Sequence, residues 1–125
     1  MDGNEIAKYL GTLNELALLL VPQFPAGIMY NRHEECWWIF RASWPLADQP
    51  KGFVTISREV TIRVGRDNLA NYHNYDSDKK RRARDHLQQL VNQRMADYDE
   101  GRSEKQYAVL EPFIIDVQRD WAIQP

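Results

Sequence analysis

Residues 53–64, FVTISREVTIRV, and residues 77–100, SDKKRRARDHLQQLVNQRMADYDE, carry two different hydrophobic periods. The change between them decides the fold class. In the first segment Val54, Ile56, Val60, Ile62 and Val64 share one parity, the period of two expected of a strand with one buried face. Arg58 shares that parity, and twelve residues exceed the usual strand length, so a turn or bulge is predicted near Ser57–Glu59. In the second segment Ala83, Leu87, Leu90, Val91, Met95 and Tyr98 recur at helical spacing. Asp76 or Ser77 supplies an N-cap, and Gly101 is placed to act as the C′ residue. A strand period followed by a helical period, without regular βα alternation, indicates an α+β chain.

Working outward, Asn4 is placed to cap a first helix with Ile6, Leu10, Leu13, Ala17 and Leu20 on its buried stripe, which Pro22 ends. Leu16, Leu18 and Leu19 widen that stripe, so burial on more than one side is expected. Gly27–Tyr30 reads as a short strand and Asn31–Glu34 as a turn. Cys36–Ala42 reads as a central strand, apolar on both faces through Trp37, Trp38, Ile39 and Phe40. Ser43–Gly52, with Pro45 and Pro50, reads as a loop, and Gly65–Asp76 as a loop or short irregular helix. Tyr107–Val117 is the last strand, placed at an edge or bulge by Pro112, with Trp121 expected to pin the tail. The order is α-β-β-β-α-β. It predicts one domain over residues 1–125, an antiparallel sheet of three to five strands packed against two helices.

The bulk chemistry narrows the function classes. With 43% hydrophobic and 27% charged residues the chain is ordinary for a globular protein. One cysteine, no secretory leader pattern and no long apolar run point to a cytoplasmic protein without a membrane partner. No phosphate-cradling glycine loop, nucleophile elbow or metal motif occurs, so neither cofactor nor metal is expected. Cys36 follows His33, Glu34 and Glu35, but nearby carboxylates raise a thiol pKa, and a buried structural thiol is the expected role. A calcium loop starting at Asp97 fails, because Arg102 stands where the turn glycine belongs and Ala108 where the bidentate Glu belongs. His73, set among Asn71, Asn74, Tyr72 and Tyr75, is the one histidine in site-like surroundings.

Charge placement is the stronger signal. From Lys51 to Arg94 there are ten Lys and Arg against five Asp and Glu, while the rest of the chain holds six against thirteen. Within the long helix Lys79, Lys80, Arg81, Arg82 and Arg84 crowd the N-terminal turns, and Asp97, Asp99 and Glu100 crowd the far end. Both clusters oppose the helix dipole, at about 0.3–1 kcal/mol per misplaced charge. Asp78–Arg82 and Arg81–Asp85 can pair along the helix, leaving Lys79, Lys80 and Arg84 without local partners. Arg63, Arg66, Tyr72 and Tyr75 would add cations and stacking rings to the same surface.

Lys80-Arg81-Arg82-Ala83-Arg84 resembles the start of the second helix in double-stranded-RNA-binding domains, and Leu13-Asn14-Glu15-Leu16 resembles part of that family's first helix. The resemblance implies phosphate contacts by Lys80, Arg81 and Arg84 and a minor-groove approach by Glu15. The chain departs from the family in lacking its glycine-rich turn and its Gly-Pro-x-His turn, and in the strand that follows the helix.

The expected function is therefore a small non-catalytic binding module. Its expected surface is Lys79, Lys80, Arg84, Arg66, Tyr72 and Tyr75, facing an anionic partner, either nucleic acid or an acidic protein. One alternative is a protein-interaction or inhibitor-type protein using exposed tryptophans, with Trp44 in its Pro-flanked loop as the best anchor. Another is an enzyme with a site near His73.

Overall fold

The computed structural model describes residues 3–25, 30–34 and 37–117. Helix α1 spans Gly3–Leu20 and runs into a 3₁₀ turn at Val21–Gln23, where Pro22 prevents continuation. Strands β1 (Tyr30–Glu34), β2 (Trp37–Ala42) and β3 (Val60–Gly65) follow, then helices α2 (Arg66–His73) and α3 (Ser77–Met95), and strand β4 (Phe113–Val117). The chain is α+β with a mixed sheet of order β1-β2-β3-β4.

One pairing in that sheet differs from the expected antiparallel arrangement. β1–β2 and β2–β3 are antiparallel, but β3–β4 is parallel. The cause is the connection: α2 and α3 carry the chain back along the sheet, and a crossover of that kind delivers the next strand parallel to the first. Asn31–Glu34, expected as a turn, lies in β1, paired from Asn31 opposite Phe40 to Glu34 opposite Trp37. Gly27–Met29, Cys36 and Trp121 lie outside the described residues. β4 is an edge strand, with Pro112 immediately before its first residue, where no ladder N–H is needed.

The break predicted near Ser57 is present. β3 begins only at Val60, and residues 53–58 leave the sheet to pair elsewhere. Ser57 N donates to Trp44 O at 2.8 Å, Leu46 N to Thr55 O at 2.8 Å, and Arg58 N to Glu100 O at 3.0 Å. Arg58 escapes burial by donating from Nε to Glu111 O at 2.7 Å and lying over the Phe113 ring.

One sheet face carries Trp38, Phe40, Ala42, Val60, Ile62, Val64, Phe113, Ile115 and Val117 into the core. Leu69 and Tyr72 of α2 and Ala83, Leu87 and Val91 of α3 cover it, the α3 residues lying on the expected stripe. α1 is rotated from its expected phase: Tyr9, Leu13, Leu16 and Leu20 are buried, whereas Leu10 is 52% and Leu18 73% exposed. Polar contacts from Thr12 to α2 and from Glu15 to α3 set that rotation. Asn4 lies inside the helix rather than capping it.

The long helix is shorter than its sequence suggests, because it ends at Met95. Asp97, Asp99 and Glu100 therefore lie beyond it and do not oppose its dipole, while Arg94 in its last turn favours it. Gly101 is a turn residue at φ +81° rather than the helix C′ residue, its N–H bonded to Asp99 Oδ1 at 2.9 Å. Arg94 falls within the apolar stripe of α3 but carries its head to the surface without a carboxylate partner among the described residues: Nη2 donates to Ile114 O at 3.1 Å and the guanidinium lies over Phe113.

Candidate functional site at the start of the third helix

The N-terminus of α3 is closed by its own sequence. Asp76 Oδ1 accepts the Lys79 N–H at 2.8 Å, and Asp78 adds a favourable carboxylate in the first turn. The basic residues that follow fall into two groups.

Arg84 and Arg81 have carboxylate partners. Arg84 Nη1 lies 3.0 Å from Glu15 Oε1 on α1 and 3.3 Å from the Tyr72 hydroxyl on α2. Arg84 is thus a three-helix junction and not the unpartnered cation expected from local spacing. Burial pushes the Tyr72 phenol above its ordinary 10.0, and the hydrogen bond to that phenol holds the Arg84 guanidinium more firmly protonated. Arg81 lies 3.8 Å from Asp78, an exposed i,i+3 pair in place of the expected Arg81–Asp85 and Asp78–Arg82 pairs. Such a pair contributes about 0–1 kcal/mol.

Lys79, Lys80 and Arg82 have no carboxylate partner among the described residues. Lys79 Nζ sits 4.3 Å from the Tyr75 ring centroid and Lys80 Nζ 5.7 Å from that of Tyr72, so each ammonium is held over an aromatic face. Arg82 is exposed on the helix side away from the core. Arg66 opens α2 half-buried and already engaged.

Two aromatic residues depart from expectation. Tyr72 is fully buried beneath Lys80 and edge-on to Tyr75, so it is a seat for a cation rather than a stacking platform. Trp44 is 4% exposed, packed against Phe24 and Tyr98, with Nε1 donating to Glu100 Oε2 at 3.0 Å. Its Pro-flanked loop folds inward because residues 55–57 pair with it, which removes Trp44 as a surface anchor.

His73 is a structural wedge. Its Nδ1 meets Thr12 Oγ1 at 2.9 Å, and its ring stands edge-on to Tyr9 at 5.0 Å. Thr12 is buried, so this pair offers no accessible nucleophile. With Glu15–Arg84 at its edge, it turns the Tyr9 and Thr12 side of α1 inward, which explains the rotated stripe.

The RNA-binding resemblance loses its central pair by the same geometry. Glu15 and Arg84, which it would assign to groove and phosphate, neutralise each other. No protein-family model, curated protein or solved structure matches the chain. Among the described residues, no helix is long and apolar enough to cross a membrane.

Proposed function

We propose that this protein is a non-catalytic binding module that holds an anionic macromolecule against the start of α3 by charge, with Lys79, Lys80 and Arg82 as the contacting side chains. The observation that carries this reading is the sorting of the five cations: two have carboxylates, and three have none within salt-bridge distance among the described residues. An uncompensated cation opposing a helix dipole costs local stability, about 0.3–1 kcal/mol, and an anionic partner would reverse that sign. Lys79 covers one face of Tyr75 and Tyr72 is buried, so base stacking is not part of the recognition. The partner is read as a repeating anion, a nucleic-acid backbone above all.

The test is Lys79→Gln, Lys80→Gln and Arg82→Gln in one chain, measured for duplex binding by fluorescence anisotropy and for melting temperature. Binding lost with stability within about 0.5 kcal/mol of the parent supports the reading. Absence of duplex binding by the parent chain, or equal binding by the variant, overturns it.

A second reading has its own observation. Tyr107 is 86% and Val109 94% exposed, a level of apolar exposure that suits contact with another protein. If Tyr107→Ser with Val109→Ser changes neither solubility nor self-association, that reading fails.

A further inference from the structure

The five cations at the start of α3 sort by side as well as by partner. Successive helical residues turn by about 100°, so Arg84 and Arg81 lie about 60° and about 120° to one side of buried Leu87. That side leads to Glu15 on α1. Lys79 and Arg82 lie about 80° and about 140° to the other side. Lys80 sits nearer the core, with its ammonium over Tyr72. The two cations with carboxylates thus share one flank of α3, and two of the three without them share the opposite flank. We propose that a nucleic-acid duplex lies lengthwise along that second flank, so that the contact begun by Lys79 and Arg82 continues to Gln89 and Gln93. This docking mode rests on the basic surface being a polyanion site and adds the direction and length of the contact.

Lys79, Arg82, His86, Gln89 and Gln93 follow one another at intervals of three and four residues, which sets them in one row on the helix surface. Arg82, Gln89 and Gln93 are exposed, and Lys79 and His86 are half-buried. None of the five side chains has a hydrogen-bond or ion-pair partner among the described residues. His86 Nδ1 is shut off from solvent, so the contacts are assigned to the two exposed amides. Asp78 and Asp85, the only carboxylates of α3, lie outside the row, and Asp78 is 3.8 Å from Arg81. Acids outnumber bases 18 to 16 in the whole chain, yet the row holds none to repel a polyanion.

The shape of the row selects the partner. From Lys79 to Gln93 it runs about 21 Å, nearly parallel to the helix axis. A duplex presents about six base pairs over that length, at roughly 3.4 Å per step, with phosphates throughout. Its stiffness, about 150 base pairs of persistence length, lets it meet a straight row with no ordering cost. A single strand or an acidic polypeptide would have to be straightened first. Single-strand readers offset that cost by stacking bases on aromatic rings. Here Tyr72 is buried and Lys79 covers one face of Tyr75. Glutamine amides donate to phosphate and sugar oxygens without carrying charge, so Gln89 and Gln93 orient the duplex while the cations alone release counterions.

The experiment places the same added charge on each flank in turn. One variant carries Gln89→Glu with Gln93→Glu, on the row; the other carries Gln88→Glu with Asn92→Asp, on the side of Arg81 and Arg84. Fluorescence anisotropy measures the affinity of each for a duplex of about sixteen base pairs, and melting temperatures are recorded alongside. The row variant is expected to lose about tenfold or more through like-charge contact. The other variant, whose new charges are held off and screened, is expected to lose less than about threefold. Gln89→Lys with Gln93→Lys, which keeps the test open if the row variant melts early, is expected to tighten binding. It should steepen the log–log salt slope by up to about 1.8, for two further phosphate contacts. For the parent chain, the duplex is expected to bind more tightly than its single strand or polyglutamate. Equal losses in the two acidic variants, or a salt slope unchanged by the two lysines, overturn lengthwise docking; if the Lys79, Lys80 and Arg82 substitutions still abolish binding, the basic surface stands. Absence of duplex binding by the parent overturns both. Single strand or polyglutamate binding as tightly as the duplex overturns the choice of partner.

Discussion

The guanidinium of Arg84 lies 3.0 Å from the carboxylate of Glu15, across sixty-nine residues of sequence, and the same nitrogen reaches the hydroxyl of buried Tyr72. One side chain thereby joins α3 to α1 and α2. The Arg84 side chain is 30% and the Glu15 side chain 42% exposed, so the strength of the pair depends on salt.

Glu15→Gln is expected to cost about 0.5–1 kcal/mol at low ionic strength, less in high salt, as a part-exposed ion pair should. The same change frees Arg84, so affinity for a duplex should rise. Urea denaturation at two salt concentrations, with anisotropy on the same samples, measures both. Weaker duplex binding by this variant would contradict the division of the five cations.

Alkaline pH should destabilise the fold through two tyrosines. Burial is the main cause that raises both the Tyr72 and the Tyr98 phenol above 10.0. Folded, each holds its proton where the unfolded chain has released it, so this stability is fully present below about pH 10 and is lost as pH rises through the folded values. Tyr72→Phe should lower the melting temperature at neutral pH, since Arg84 loses a partner, yet flatten its fall above about pH 10. Melting curves across that range decide it; an unchanged alkaline slope in both Tyr72→Phe and Tyr98→Phe would refute it.

Two glycines should respond with opposite sign. Gly11 sits within α1, and a Cβ added there would meet nothing within 4 Å, so Gly11→Ala should stabilise by about 0.5–1 kcal/mol. Gly101 has φ +81°, and a Cβ there would meet Leu110 Cδ1 at 2.7 Å. Gly101→Ala should destabilise by about 1–2 kcal/mol. Chemical denaturation of the two variants checks both signs.

Trp44→Phe removes the N–H that Glu100 accepts and leaves that carboxylate less satisfied, for an expected cost of about 1–3 kcal/mol. Calorimetry on this variant tests whether Trp44 is a structural residue; a change within about 0.5 kcal/mol would return it to the surface-anchor reading.

Much of the architecture was legible because it follows from local periods. Ala83, Leu87 and Val91 line up on α3, β2 is central and apolar on both faces, and Arg58 marks the break before β3. The parallel pairing of β4 was not legible, since neither strand records which way the α2–α3 crossover returns the chain. The phase of α1 was hidden for a related reason. Apolar spacing alone places Leu10 and Ala17 on the stripe, but Thr12 and Glu15 find His73 and Arg84 sixty-one and sixty-nine residues away. Trp44 misled because proline-flanked loops are often exposed, whereas this one is drawn inward by Ser57, whose hydroxyl accepts the Trp44 N–H at 2.9 Å. At the basic surface, Lys79 and Lys80 were visible as an excess of charge, while their tyrosine seats needed the turn between α2 and α3.

The salt dependence of duplex binding puts the proposed surface to its most direct trial. Three phosphate contacts by Lys79, Lys80 and Arg82 should give a log–log slope of affinity against salt of about −2.7, falling toward zero in the triple glutamine variant. A parent chain that does not bind the duplex, or a slope unchanged by the three substitutions, would contradict it.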